Sequence, residues 1–128
     1  MRVSDGMTVP VLMIGPKHTL RQAARLMAAR KVGAAIVRDV DGEGYSILTE
    51  RDVLLSVADG QNPDAELVGD HIARDVVFAD PGWSLAEAAG SMLRGGFRHL
   101  IVCDRGEVTG VLSMRDVVRC WSEQRASV

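Results

Sequence analysis

The chain of 128 residues is 47% hydrophobic, and its 15 Lys and Arg stand against 17 Asp and Glu, for a net charge of −2. This composition supplies a core and excludes wholesale disorder, while the slight acidic excess argues against a general nucleic-acid binder. Aromatic residues at 4% argue against stacking platforms for single strands, and no apolar run approaches the roughly 20 residues of a membrane span.

The first apolar run, Val9–Ile14, is broken by Pro10 and too short for a signal segment, so it reads as a leading strand of a cytoplasmic protein. Thr19-Leu20-Arg21-Gln22 is a capping box, followed by apolar residues at helical spacing (Leu20, Ala23, Ala24, Met27) and by Gly33, which is expected to end the helix. Ala34–Asp39 and Tyr45–Leu48 read as two strands joined by the turn Asp41-Gly42-Glu43-Gly44. A short helix then starts at Thr49 with Val53, Leu54 and Val57 as its expected inner face, and Asp59–Asp64 is turn-rich.

The same order then recurs. Val76–Phe78 is a leading strand, Ser84-Leu85-Ala86-Glu87 a capping box, and Leu85, Ala88, Ala89 and Met92 a helical stripe closed by Gly95-Gly96. His99–Asp104 and Val108–Leu112 form a hairpin around Arg105-Gly106, and a helix follows Ser113 with Val117, Val118 and Trp121 as its expected inner face. The recurrence is in register: Val3 and Val68, Leu20 and Leu85, and Ile36-Val37 and Ile101-Val102 all stand 65 positions apart. After a one-residue gap in the turn, Thr49 and Ser113, and Arg51-Asp52-Val53 and Arg115-Asp116-Val117, stand 64 apart. The chain is therefore two copies of β-α-β-β-α, divided at residues 1–62 and 63–128. One copy cannot cover both faces of its small sheet, so the two are expected to pack together.

Little else in the sequence carries chemistry. Cys103 and Cys120 read as reduced thiols, and His18, His71 and His99 lack metal-type spacing, so no metal site is expected. Asp39–Glu43 has a faint calcium-loop look without the twelve-residue spacing and reads as the hairpin turn. No nucleophile–base set and no phosphate-binding loop is present, so an enzyme is not expected.

Two segments stand out: Ser46-Ile47-Leu48-Thr49-Glu50-Arg51-Asp52 and Gly110-Val111-Leu112-Ser113-Met114-Arg115-Asp116. Each runs from a strand into a helix, with a hydroxyl at the junction and an aspartate three residues on. Thr49 and Ser113 are good helix caps, and an acid in the first turn complements the helix dipole. The same carboxylate is also suited to accept both hydroxyls of a ribose diol.

The β-α-β-β-α repeat with this motif resembles the cystathionine-β-synthase (CBS) domain family over nearly the whole chain, as a stand-alone tandem pair, or Bateman module. The resemblance implies an α/β (α+β) fold of two repeats packed through their sheets with pseudo-two-fold symmetry. It further implies a regulatory role: an adenosine-containing nucleotide bound in the inter-repeat cleft and read out through dimer shape or by a protein partner in trans. AMP, ADP, ATP and S-adenosylmethionine are the candidate ligands, no cofactor is required, and neither a membrane nor a nucleic acid is an expected partner.

Carried over by motif position, Asp52 and Asp116 would hold ribose, with Thr49 and Ser113 near ribose or phosphate. Ala35, Ile36, Val37, Leu100, Ile101 and Val102 would line the adenine slots, Val11-Leu12 and Val76-Val77 would add apolar walls, and Arg51, Arg98, His99 and Arg115 are the candidate phosphate contacts. The chain departs from the family pattern at Ser46, where Gly is usual, and at Ile36 and Ile101, where Pro is common. Because Gly110 keeps the pattern, the site of Asp116 is expected to bind first. The alternative is an interaction or structural protein whose ligand clefts no longer function.

Overall fold

A computed structural model describes residues 1–38, 44–72 and 76–126. The calcium-like Asp39–Glu43 and, apart from Gly44, the first hairpin turn lie outside the described residues. The fold is mixed α/β, with two three-stranded sheets. In the first, β1 (Met13–Ile14) runs parallel to β2 (Ala34–Arg38), which pairs antiparallel with β3 (Tyr45–Thr49). In the second, β4 (Phe78–Ala79) runs parallel to β5 (His99–Asp104), and β5 pairs antiparallel with β6 (Glu107–Ser113). Each parallel pair is bridged by a helix, α2 (Leu20–Arg30) or α4 (Leu85–Gly95), and each hairpin leads into another, α3 (Glu50–Ala58) or α5 (Met114–Ala126). Two further elements precede the leading strands: the helical turn α1 (Val3–Gly6) and a 3-10 turn at Val68–Asp70.

Thr19 caps α2 through the reciprocal box, its hydroxyl accepting from the Gln22 N–H at 3.1 Å while Gln22 Oε1 accepts from the Thr19 N–H at 2.9 Å. Ser84 caps α4 the same way on one side, accepting from the Glu87 N–H at 3.0 Å. The helix ends differ from expectation in one copy. Gly96 closes α4 in the left-handed conformation at φ 71°, but Lys31 rather than Gly33 takes that role after α2, at φ 57°. The Val32 N–H reaches the Met27 carbonyl at 3.1 Å, so the helix is closed by a Schellman motif before Gly33 is reached. The second hairpin turns through Arg105 and Gly106, both at positive φ (53° and 80°), as a two-residue loop matched to strand twist requires.

The chain forms two compact units, and they divide it differently from its repeats. One unit is Leu12–Val76; the other joins Met1–Val11 to Val77–Val128. The leader of each repeat thus belongs with the body of the other. In the discontinuous unit, the Val3 N–H donates to Trp83 O at 2.8 Å and the Leu85 N–H to Met1 O at 3.0 Å. Val3 is fully buried in a core with Leu85, Met92, Leu100, Val102, Leu112 and Val117. In the continuous unit, the Val68 N–H donates to His18 O at 2.8 Å, and Val68 joins Leu20, Met27, Ala35, Val37 and Leu48 in the core.

The expected inner faces of α3 and α5 are corrected in part. Leu54 (66%), Val57 (52%), Val118 (56%) and Trp121 (46%) are exposed. Val53, packed against the core, and the buried Val117 point inward as expected, joined by Ser56, whose hydroxyl donates to Gln61 Oε1 at 2.6 Å, and by Cys120. The cause lies at the helix starts. Asp52 and Asp116 are turned back onto their caps, and one turn later that phase places Ser56 and Cys120 inward. Burial also raises the pKa of the Cys103 thiol above its ordinary value.

Candidate functional site

Each unit carries one motif where a hairpin strand becomes a helix. In the unit Leu12–Val76, Thr49 ends β3 opposite Ala34 and caps α3. Asp52 Oδ2 accepts from the Thr49 N–H at 2.8 Å and from its hydroxyl at 3.0 Å. Among the described residues, Asp52 Oδ1 carries no hydrogen bond, and the side chain is half-buried. The Glu50 N–H donates to Gly33 O at 2.9 Å, and the Glu50 carboxylate lies over Gly33, 3.3 Å from where a Cβ would stand.

In the other unit, Ser113 and Asp116 repeat this geometry. Asp116 Oδ2 accepts from the Ser113 N–H at 2.8 Å and its hydroxyl at 2.9 Å. Here the leader adds more. The Thr8 hydroxyl stands 3.4 Å from both Asp116 oxygens, and Arg119 Nη2 lies 3.5 Å from Oδ1 while donating to Gly6 O at 3.0 Å. Only 12% of the Asp116 side chain remains exposed. Partial burial works against the charge of Arg119, but Cys120, the hydrogen bond Arg119 donates to Asp116 and the Asp116 and Glu123 carboxylates outweigh it and raise the guanidinium pKa. Gly110 is covered as well: a Cβ there would stand 2.6 Å from Met7 Sδ.

His99 sits opposite Ser113 in the β5–β6 register, and Arg98 O accepts from the Met114 N–H at 2.8 Å. Arg98, His99, Ser113 and Asp116 therefore share one end of one sheet. Arg51 and Arg115 are exposed in the first turns of α3 and α5. The six expected adenine-slot residues are all buried, but strand alternation separates them. Ala35, Val37, Leu100 and Val102 point into the helix-side cores, whereas Ile36 and Ile101 belong to neither core cluster and lie on the opposite sheet faces. Leu12 is likewise in the core, with Val77 packed against the other.

Sequence reasoning missed Arg119, Thr8 and Met7. Arg119 was legible as the residue three beyond Asp116, one helical turn on. Thr8 and Met7 were not, because the repeat assigns the leader to its own copy. Among the described residues no group of three His, Cys, Asp or Glu is placed to hold a metal, and no helix is long and apolar enough to cross a membrane.

The CBS domain family model matches residues 3–59 and 68–123. An uncharacterized protein of Methanocaldococcus jannaschii is 30% identical over 117 residues, covering 91% of this chain and 41% of that protein. A CBS domain-containing protein of Arabidopsis thaliana is 35% identical over 121 residues, covering 94% of this chain and 20% of that one. The chain thus spans less than half the length of these two relatives. Among solved structures, a CBS domain protein from Pyrobaculum aerophilum complexed with AMP superposes with a TM-score of 0.83 at 26% identity, with full coverage of both chains.

Proposed function

The chain belongs to the CBS domain family, and from that premise we propose that it is a regulatory module that binds an adenosine-containing nucleotide and passes its state to a partner. One observation carries this reading: two aspartates, Asp52 and Asp116, held at helix starts by Thr49 and Ser113 in a chain similar throughout to a protein complexed with AMP. A carboxylate fixed by two short hydrogen bonds is preorganised to accept a ribose diol, and Arg98 and His99 bring basic groups to the same sheet end for phosphate. The module acts in the cytoplasm, with its output in a partner or in self-association.

Thermal unfolding with AMP, ADP, ATP or S-adenosylmethionine, beside GTP as a non-adenine control, tests the reading. At about 100 times its dissociation constant, a ligand adds ~2.7 kcal/mol, a rise of several degrees for a chain this size. The expected result is a rise with adenine ligands that disappears when Asp52 and Asp116 are both changed to Ala. A folded protein with a flat panel selects the alternative, an interaction module whose clefts hold no ligand.

Self-association rests on the apolar residues that α3 and α5 leave exposed, Leu54, Leu55, Val57, Val118 and Trp121. Light scattering on the purified protein is expected to give the mass of two chains. A one-chain mass at micromolar concentration removes the homodimer from the proposal.

A further inference from the structure

The two motifs are alike in sequence and, among the described residues, unlike in their surroundings. Above Gly110, the space a glycine opens is already filled: a Cβ there would meet Met7 Sδ at 2.6 Å, Cγ at 2.9 Å and Cβ at 3.2 Å. Next to Met7, Thr8 is stitched onto β6, its N–H donating to Val111 O at 2.8 Å and its carbonyl accepting from the Val111 N–H at 3.3 Å. Its hydroxyl faces both oxygens of Asp116, and Arg119 ties Gly6 O to the same carboxylate. A ribose diol reaching Asp116 must therefore displace the Thr8 hydroxyl and compete with Arg119. At Asp52, Oδ2 alone is used among the described residues, and Oδ1 is left to accept.

We propose that Met7 and Thr8 latch the Asp116 site shut, so that the chain takes one nucleotide, at Asp52, and the leader governs access to the second site. The proposal rests on the nucleotide-binding reading above and reverses the order of occupancy expected from Gly110. It also gives that glycine a different role: it makes room for Met7 rather than for a ligand.

Calorimetric titration with AMP separates the outcomes, with circular dichroism confirming that each variant is folded. The unmodified chain is expected to bind one AMP. Asp52→Asn is expected to weaken that event by about 10- to 150-fold, as the loss of charge-assisted hydrogen bonds implies. Met7→Ala combined with Thr8→Ala is expected to add a second binding event. Thr8→Val keeps the side-chain shape, removes only the donor, and is expected to show the same gain more weakly. Two equal events in the unmodified chain, or an unweakened event in Asp52→Asn, overturn the latch and leave the nucleotide reading standing. A single event in both leader variants overturns the latch as well. No heat from AMP with the folded, unmodified chain overturns the nucleotide reading and the latch together.

Discussion

Replacing Leu112 with Ala is expected to cost about 2–5 kcal/mol, near the top of what one truncation does to a small domain. Leu112 is fully buried on β6 opposite Leu100, and its Cδ1 lies 3.6 Å from where a Cβ on Gly6 would stand. The space left by its removal is bounded by the backbone of α1 on one side and the sheet on the other. Neither relaxes easily, because Gly6 is already packed so closely that a Cβ there would come within 2.8 Å of Cys120 Sγ. Urea unfolding should show a lower midpoint at an unchanged slope, with a melting temperature lower by roughly 8–20 °C. A loss below ~1 kcal/mol would mean that α1 does not close over this core.

The second large effect concerns the position where the family commonly carries proline. Ile36→Pro is expected to destabilise the protein by about 2–4 kcal/mol. Ile36 lies in β2, the central strand, and its N–H donates to Leu12 O at 2.9 Å, the first bond of the parallel β1–β2 pairing. Proline removes that donor, leaves the carbonyl of a buried Leu12 without a partner and shortens a fully buried side chain. The same exchange at Ile101 removes a longer bond, 3.2 Å to Val77 O, and should cost less. Chemical denaturation of both variants checks the order; equal stability with the unmodified chain would show that the strand pairing does not depend on these bonds.

Much of the fold was legible because the chain states it twice. The caps at Thr19 and Ser84, the Gly96 helix end, the strand His99–Asp104 and the hairpin at Arg105-Gly106 follow from local rules, and the structure keeps them. Val53 and Val117 face inward as the spacing suggests, but the rest of the helix faces of α3 and α5 were misread for a physical reason. Apolar spacing favours Leu54 and Val57, but the phase of a short helix is set at its first turn, where Asp52 must fold back onto Thr49. Lys31 in the left-handed region was hidden because tertiary packing tolerates a conformation that sequence preference assigns to glycine. At the site, the aspartates and their hydroxyl partners were visible as a motif, whereas Thr8 and Met7 were not. No local rule indicates that a leader pairs with a strand more than a hundred residues later, yet Thr8 does so with Val111.

That long-range pairing also sets an order of events during synthesis. The unit Leu12–Val76 is one uninterrupted stretch, so everything it needs has been made once residue 76 emerges. Met1–Val11 has no such neighbour: its partners, from Trp83 and Val111 to Arg119, are translated only after that unit. Val3 and Met7 must therefore wait as an unpacked apolar segment while one unit completes itself, and they find their core only when the second sheet arrives. A ribosome stalled just after residue 76 has emerged would hold one finished unit and an unsatisfied leader, the state in which this chain is most exposed to wrong partners.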